Sequence, residues 1–220
     1  MDSTTQKNGL TRSIIYEATS SEQDLLQILQ LQRANLPNKL SSEEAEDQGF
    51  VTIEHDLPTL QALCGSYGHV VAKSDDTNTV VGYALIMLPE HGDLVPFLRP
   101  IMNEFENVPL DGKLVQDHKY CIMGQICIAK EFRGQGIFPG LYEKMKSILT
   151  TKETTEDEGH DTTAQYDYII TGVDLRNMRS RRAHEKVGFV PLGGASQEKD
   201  EENDPQRYQN LVLRISQDSI

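Results

Sequence analysis

AKEFRGQGIFPGLYEK, residues 129–144, sets Gly134, Gly136, Pro139 and Gly140 between an apolar run and an amphipathic one. Glycine and proline at this density mark a turn. The run before it, YCIMGQICIA (120–129), has the composition of a buried strand. The run after it, FPGLYEKMKSILT (138–150), is amphipathic and reads as a helix. A glycine turn between strand and helix is also where backbone N–H groups and the positive end of a helix dipole can hold phosphate. Two familiar phosphate loops do not fit. The dinucleotide fingerprint GxGxxG fails because the glycines run G-Q-G-I-F-P-G from Gly134, one residue too long, and lie mid-chain. The pattern GxxxxGK[ST] fails because neither lysine nor Ser/Thr follows in the required place.

Working outward, SIIYEAT (13–19) reads as a first strand. SSEQDLLQILQLQRAN (20–35) reads as a helix capped by Ser20 or Ser21, with Leu25, Ile28 and Leu29 at helical spacing. LPNKLSSEEAEDQGF (36–50) is a polar connection with a short second helix. HVVAKS and VVGYALIML, joined by DDTNT, form an antiparallel hairpin. Pro89, Pro96, Pro100 and Pro109 mark 89–119 as an insertion with one helix near FLRPIMNEF. Beyond the glycine turn come a strand at YDYIITGVD (166–174), a helix at NMRSRRAHEKVG (177–188) ended by Gly188, and strands at FVPLGG and QRYQNLVLRI. This order predicts one mixed α/β domain over 13–216 behind a polar tail, 1–12, and excludes the strict alternation of a doubly wound fold.

The net charge of −13 is concentrated. KETTEDEGHD (152–161) and EKDEEND (198–204) each hold five acids against one lysine. Both lack apolar periodicity, so acidic loops are expected at about 151–164 and 197–205. Such acidity argues against a nucleic-acid partner, which would require phosphate neutralisation. No apolar run reaches about 18 residues, so no membrane-spanning helix is expected, and the polar N-terminus lacks the apolar core of a secretory signal. Cys64, Cys121 and Cys127 show neither CxxC pairing nor zinc spacing. Cys121 and Cys127 read as small core residues, and no metal site is expected. These features imply a soluble, cytoplasmic protein.

Arg133-Gly134-Gln135-Gly136-Ile137 resembles the R/Q-x-x-G-x-G/A signature of the GCN5-related N-acetyltransferase (GNAT) superfamily. The last small residue is replaced by Phe138. NMRSRRAHEKVGF resembles the family's N-x-x-[AS]-x-x-x-Y-x-K-x-G-F pattern at Asn177, Ser180, Lys186, Gly188 and Phe189, with His184 at the tyrosine position. The two motifs cover roughly residues 120–190. The resemblance implies a largely antiparallel central sheet with helices on both faces. It also implies a bulged strand before the cofactor-binding helix, and Gly124 marks that bulge.

The resemblance further implies acetyl-CoA as cofactor. Ile126, Cys127 and Ile128 would face its pantetheine arm; Arg133, Gly134, Gln135, Gly136, Ile137 and Phe138 would hold its pyrophosphate; Asn177 and Ser180 would complete the site. His184 stands where the family's tyrosine protonates the departing thiolate and is the candidate general acid. Gln125 occupies the region of a strand glutamate that acts as base in several members, and can only position a water. Asp174, Glu90 and His91 are the remaining candidate bases. Asn35, Glu44, Phe50 and Tyr83 are the candidate acceptor-pocket residues, with parts of 89–119 as a lid. Arg176, Arg179, Arg181 and Arg182 read as a solvated helix face or as partners of the cofactor's 3′-phosphate. The implied activity is acetyl transfer to a primary amine of a small molecule or amino-acid-like acceptor. A non-catalytic acyl-CoA-binding module and a protein acetyltransferase remain alternatives, and a homodimer is left open.

Overall fold

The computed structural model describes residues 13–41, 49–150, 166–193 and 208–215. The tail, both acidic loops and Glu44 lie outside those residues; of the 36–50 connection, in which a short helix is expected, the described part holds a single 3-10 turn, Pro37–Lys39. The main sheet has seven strands: β1 Ile14–Thr19, β2 His69–Ser74, β3 Thr79–Met87, β6 Tyr120–Ile128, β7 Tyr168–Asp174, β8 Val190–Pro191 and β9 Tyr208–Arg214. They run in the order β1-β2-β3-β6-β7-β9-β8. Every neighbouring pair is antiparallel except β6 with β7. The predicted hairpin is β2–β3. Ser21 caps α1, Glu22–Arg33, by accepting from the Asp24 amide.

Each face of the sheet carries its own helices. α4, Ile137–Thr150, buries Ile137, Leu141, Tyr142, Met145 and Leu149 against Val70, Ala72, Val81 and Ala84 on one face. Gly140 permits this approach, since a Cβ there would overlap the ring of Tyr16 on β1. On the opposite face α1 and α2, Leu57–Leu63, cover Val71, Tyr83, Leu85 and Cys127. The insertion contributes α3, Leu98–Glu106, whose Ile101, Met102 and Phe105 pack over Ile122, Ile170 and Tyr208 on that same face. The insertion also holds a two-stranded hairpin, β4 Pro109–Leu110 and β5 Lys113–Leu114. The final helix, α5 Met178–Lys186, begins at Asn177 and is followed by Gly188 at φ +100°.

The decisive irregularity lies in β6. Leu85 of β3 pairs with Gln125 and Ile86 with Met123, so Gly124 is the extra residue of a bulge. A Cβ on Gly124 would meet nothing closer than 3.9 Å, so tight packing does not account for this glycine. One inserted residue resets the alternation of side chains. Cys121 and Met123 face α4, while Gln125 and Cys127 face α1.

Candidate active site

β6 and β7 pair only over Tyr120–Ile122 with Tyr168–Ile170, and beyond these residues the two strands part. The Thr171 hydroxyl donates to the Met123 carbonyl at 3.0 Å where the separation begins. Two clefts meet there. One, the larger, lies along Ile126, Cys127, Ile128, the glycine turn and α5. The other, much smaller, lies toward α3 and the 50–53 segment. Phe50, Val51, Ile126, Asn177 and Ser180 line both.

The floor of the larger cleft is the glycine turn. Gly134 and Gly136 adopt φ +75° and +81°, and a Cβ on either would meet nothing within 4 Å. Glycine serves there for its backbone freedom, and the space above the turn stays open. α4 starts at Ile137, so the amides of Ile137 and Phe138 have no partner inside the helix, while Pro139 has no N–H and the Gly140 amide bonds the Gly136 carbonyl at 3.3 Å. Phe138 and Pro139 line the cleft, whereas Gln135 turns its side chain back to the Glu131 carbonyl. Arg133 donates to the Ile128 carbonyl at 2.9 Å and to Asn35 Oδ1 at 2.6 Å, bracing β6 against the end of α1. Arg179, Arg182 and Lys186 of α5 line the same cleft. Arg181 instead pairs with Glu185. The cleft is therefore cationic in a chain that is strongly acidic overall. Open glycine backbone, a helix N-terminus and this cationic rim are the donors an anionic pyrophosphate cofactor requires.

Asn177 joins the two clefts. Its Oδ1 accepts from the Ser180 amide at 3.1 Å, capping α5, while its Nδ2 donates to the Phe50 carbonyl at 2.8 Å. Phe50, read from the sequence as a candidate acceptor-pocket residue, lines both clefts. Asn35, expected in the acceptor pocket, lies in the larger cleft as the partner of Arg133. Tyr83 is fully buried and its hydroxyl bonds Gln125, so it offers no surface to an acceptor.

His184 corrects the expectation of a general acid. The ring is buried among Phe138, Tyr142 and Phe189, and burial lowers its pKa to about 4. Nδ1 sits 2.7 Å from the Ser180 carbonyl, which can only accept, so the neutral ring carries its proton on Nδ1. Nε2 is buried without a hydrogen-bond partner among the described residues. Near neutral pH that nitrogen can accept a hydrogen bond but has no proton to give. Asp174 is also engaged: Arg176 donates to it from its main chain and its guanidinium, at 2.9 to 3.1 Å. Glu90 and His91 fall in the turn Pro89–Leu94 and line neither cleft.

Gln125 is the centre of a buried network. Its Oε1 accepts from Gln32 Nε2 at 2.7 Å and from Tyr83, while its Nε2 donates to the Ile53 carbonyl at 2.8 Å. Gln32 Oε1 accepts from the His55 amide at 2.7 Å, which fixes the orientation of both amides. The network pins residues 53–55 against the bulged strand and so builds one wall of the smaller cleft. Gln32 escaped the sequence reading. Its signal is a polar residue on the apolar stripe of α1, in register with Leu25, Ile28 and Leu29.

No protein-family model matches this chain, and no curated protein matches it in sequence. Solved structures do match it in three dimensions. One, the NatC complex bound to Gag peptide and CoA, superposes with a TM-score of 0.57 at 12% identity, covering 93% of this chain and 99% of that one. The ribosomal-protein-S18-alanine N-acetyltransferase of Escherichia coli gives 0.56 at 9% identity, covering 94% and 99%. The spermidine N-acetyltransferase of Vibrio cholerae in complex with CoA and spermine gives 0.51 at 14% identity, covering 91% and 95%. The chain has the fold of the GNAT superfamily of N-acetyltransferases. Its bulged, splayed strand and glycine turn occupy the places expected from the resemblance.

Proposed function

We propose that this chain is an acetyl-CoA-dependent N-acetyltransferase acting on the primary amine of a small or amino-acid-like acceptor. The observation that supports this reading most strongly is the cleft itself, which opens where β6 leaves β7 and ends on the open glycine turn below a cationic helix. Acetyl-CoA, when bound, supplies a thioester carbonyl activated toward amines. Gly134, Gly136 and the first turn of α4 would hold its pyrophosphate, with Arg179, Arg182 and Lys186 as counter-charges. The exposed edge of Ile126–Ile128 would orient its amide-bearing arm by main-chain bonds.

In the transfer a bond forms between the amine nitrogen and the carbonyl carbon, the carbon–sulfur bond breaks, the nitrogen loses a proton and the sulfur gains one. The described residues supply orientation and water exclusion rather than proton traffic: His184 is neutral, Gln125 is a locked amide, and Asp174 is held by Arg176. Protons then pass through solvent at the mouth of the cleft. Three buried, unpaired cysteines fit a reducing cytoplasm.

A second reading, an acyl-CoA-binding module without turnover, is favoured by the same absence of a proton donor at His184. Calorimetric titration with acetyl-CoA, CoA and NAD, followed by a thiol-release assay over an amine panel, separates the two. Acetyl-CoA binding with thiol release is the expected result. Binding without release on any amine selects the module, and failure to bind CoA removes both readings.

A further inference from the structure

The bonds around Arg133 bear on how the two clefts are held together, and the inference drawn from them rests on the acetyl-CoA reading. The motif resemblance would put this arginine on the pyrophosphate. In the fold, two N–H groups of its fork are spent on protein oxygens: Nε on the Ile128 carbonyl at 2.9 Å and Nη2 on Asn35 Oδ1 at 2.6 Å. The neighbouring Ala129 amide bonds Val81 of β3, so by alternation the Ile128 carbonyl lies on the other edge of β6, the one that β7 leaves open. Asn35 is itself fixed. It is buried, and its Nδ2 donates to the Leu31 carbonyl at 2.8 Å, which sets Oδ1 toward Arg133. Its main-chain carbonyl accepts from the Val51 amide at 3.0 Å.

The next residue along, Phe50, is held by Asn177 Nδ2, and Asn177 Oδ1 caps α5. Gly49, at φ +71°, lets the chain pass this close, since a Cβ there would lie 2.9 Å from Asn177 Oδ1. A continuous line of bonds therefore runs from the open edge of β6 through Arg133, Asn35, Val51 and Phe50 to α5. It crosses the site where the two clefts meet. We propose that Arg133 is a positioning residue and not a phosphate ligand: with Asn35 it forms a strut that holds the Phe50–Val51 segment at the junction of the clefts and so orients the pantetheine arm of the coenzyme.

A strut and a phosphate contact respond differently to substitution. Lysine keeps the charge that attracts phosphate, but its compact ammonium cannot reproduce the two-pronged fork. Asn35→Ala removes no charge and cuts the same line from its other end. Bonds in one line are not additive, so cutting it twice costs no more than cutting it once. The test is calorimetry on the full chain with CoA and with adenosine 3′-phosphate 5′-diphosphate, which carries the pyrophosphate and lacks the pantetheine arm. Asn35→Ala and Arg133→Lys should each weaken CoA at least fivefold and leave the nucleotide within about twofold of wild type. The double variant should bind CoA no more weakly than either single one. CoA affinity unchanged in Asn35→Ala, or a nucleotide weakened as much as CoA in Arg133→Lys, overturns the strut. If the nucleotide alone binds too weakly to measure, the CoA values of the two single variants and the double variant decide. If Arg133→Lys does not fold, Asn35→Ala decides alone. A wild-type chain that binds no CoA overturns both readings, and only that result touches the cofactor reading.

Discussion

At Gln125 a neutral amide stands in the region where a resembling enzyme would carry a glutamate, and restoring the acid is the obvious experiment. The geometry predicts that it fails. A carboxylate there keeps the bonds from Gln32 and Tyr83 but turns its second oxygen toward the Ile53 carbonyl, 2.8 Å from the present nitrogen. Two acceptors then face each other in a buried site, and the carboxyl is relieved only by keeping its proton. Gln125→Glu should therefore cost about 1–3 kcal/mol of stability. The folded-state pKa of the new acid would lie above its unfolded value, so the loss should deepen as pH rises. Urea unfolding at pH 5.5 and 8 checks this, and equal stability of variant and wild type at pH 8 would refute the network's role. Gln125 positions the 53–55 segment; it is not a base in waiting.

At the scale of the element, the glycine turn and α4 form one unit whose backbone strain is testable against an internal control. Gly136 and Gly112 share nearly the same conformation, φ +81° and +83°, and at neither would an added Cβ have another atom within 4 Å. Gly112 lies in the β4–β5 turn, away from both clefts. Alanine at either site should cost about 1–2 kcal/mol, the ordinary penalty for an L-residue in the left-handed region. Only Gly136→Ala should also weaken CoA binding, at least fivefold, because its methyl enters the open space over the turn. Equal CoA affinity in both variants would mean that this turn does not hold the cofactor. The turn was legible in the sequence because glycine, proline and the change of hydrophobic period act locally, as they do at Ser21, Gly124 and Gly188. α2 was missed: seven residues are too few to establish a period, although Asp56, accepting from the Thr59 amide, and Pro58 in the first turn mark its start. The β4–β5 hairpin, too short for alternation, was missed for the same reason. The Gln32–Gln125 and Gln125–Ile53 bonds join residues far apart in the chain, and no local pattern announces them. His184 was found by its place in a motif, yet its lack of a transferable proton follows from the aromatic cage, which the fold alone assembles.

For the molecule as a whole, the two most deeply placed histidines set its response to acid. His69 on β2 and His184 on α5 are buried on opposite sides of the sheet. Each has one ring nitrogen on a backbone carbonyl, Leu60 at 3.1 Å and Ser180 at 2.7 Å, and the other nitrogen buried without a partner among the described residues. Burial lowers both pKa values to about 4. The unfolded chain protonates both near the ordinary 6.5, so between 6.5 and about 4 it binds protons that the native state refuses. Their contribution is complete above pH 6.5 and falls as pH drops through that window, by up to roughly 3 kcal/mol for each ring. Asp24 is also held below its ordinary value, by Lys73, Thr19 and Ser21 against the cost of burial. Its contribution is lost only below the ordinary carboxylate pKa, under the histidine window. Set against a total of about 5–15 kcal/mol for a domain, the histidine effect is large. The urea midpoint should therefore fall steeply from pH 7 to pH 5. Burial also lowers the pKa of His55, against the pull of Asp56, so three rings share the fall, and His184→Phe, which leaves an uncharged ring in the same aromatic cage, should remove a part of it. A midpoint that stays level over this range, or a slope unchanged in His184→Phe, would mean that water reaches these rings and that the wall behind the smaller cleft is not closed.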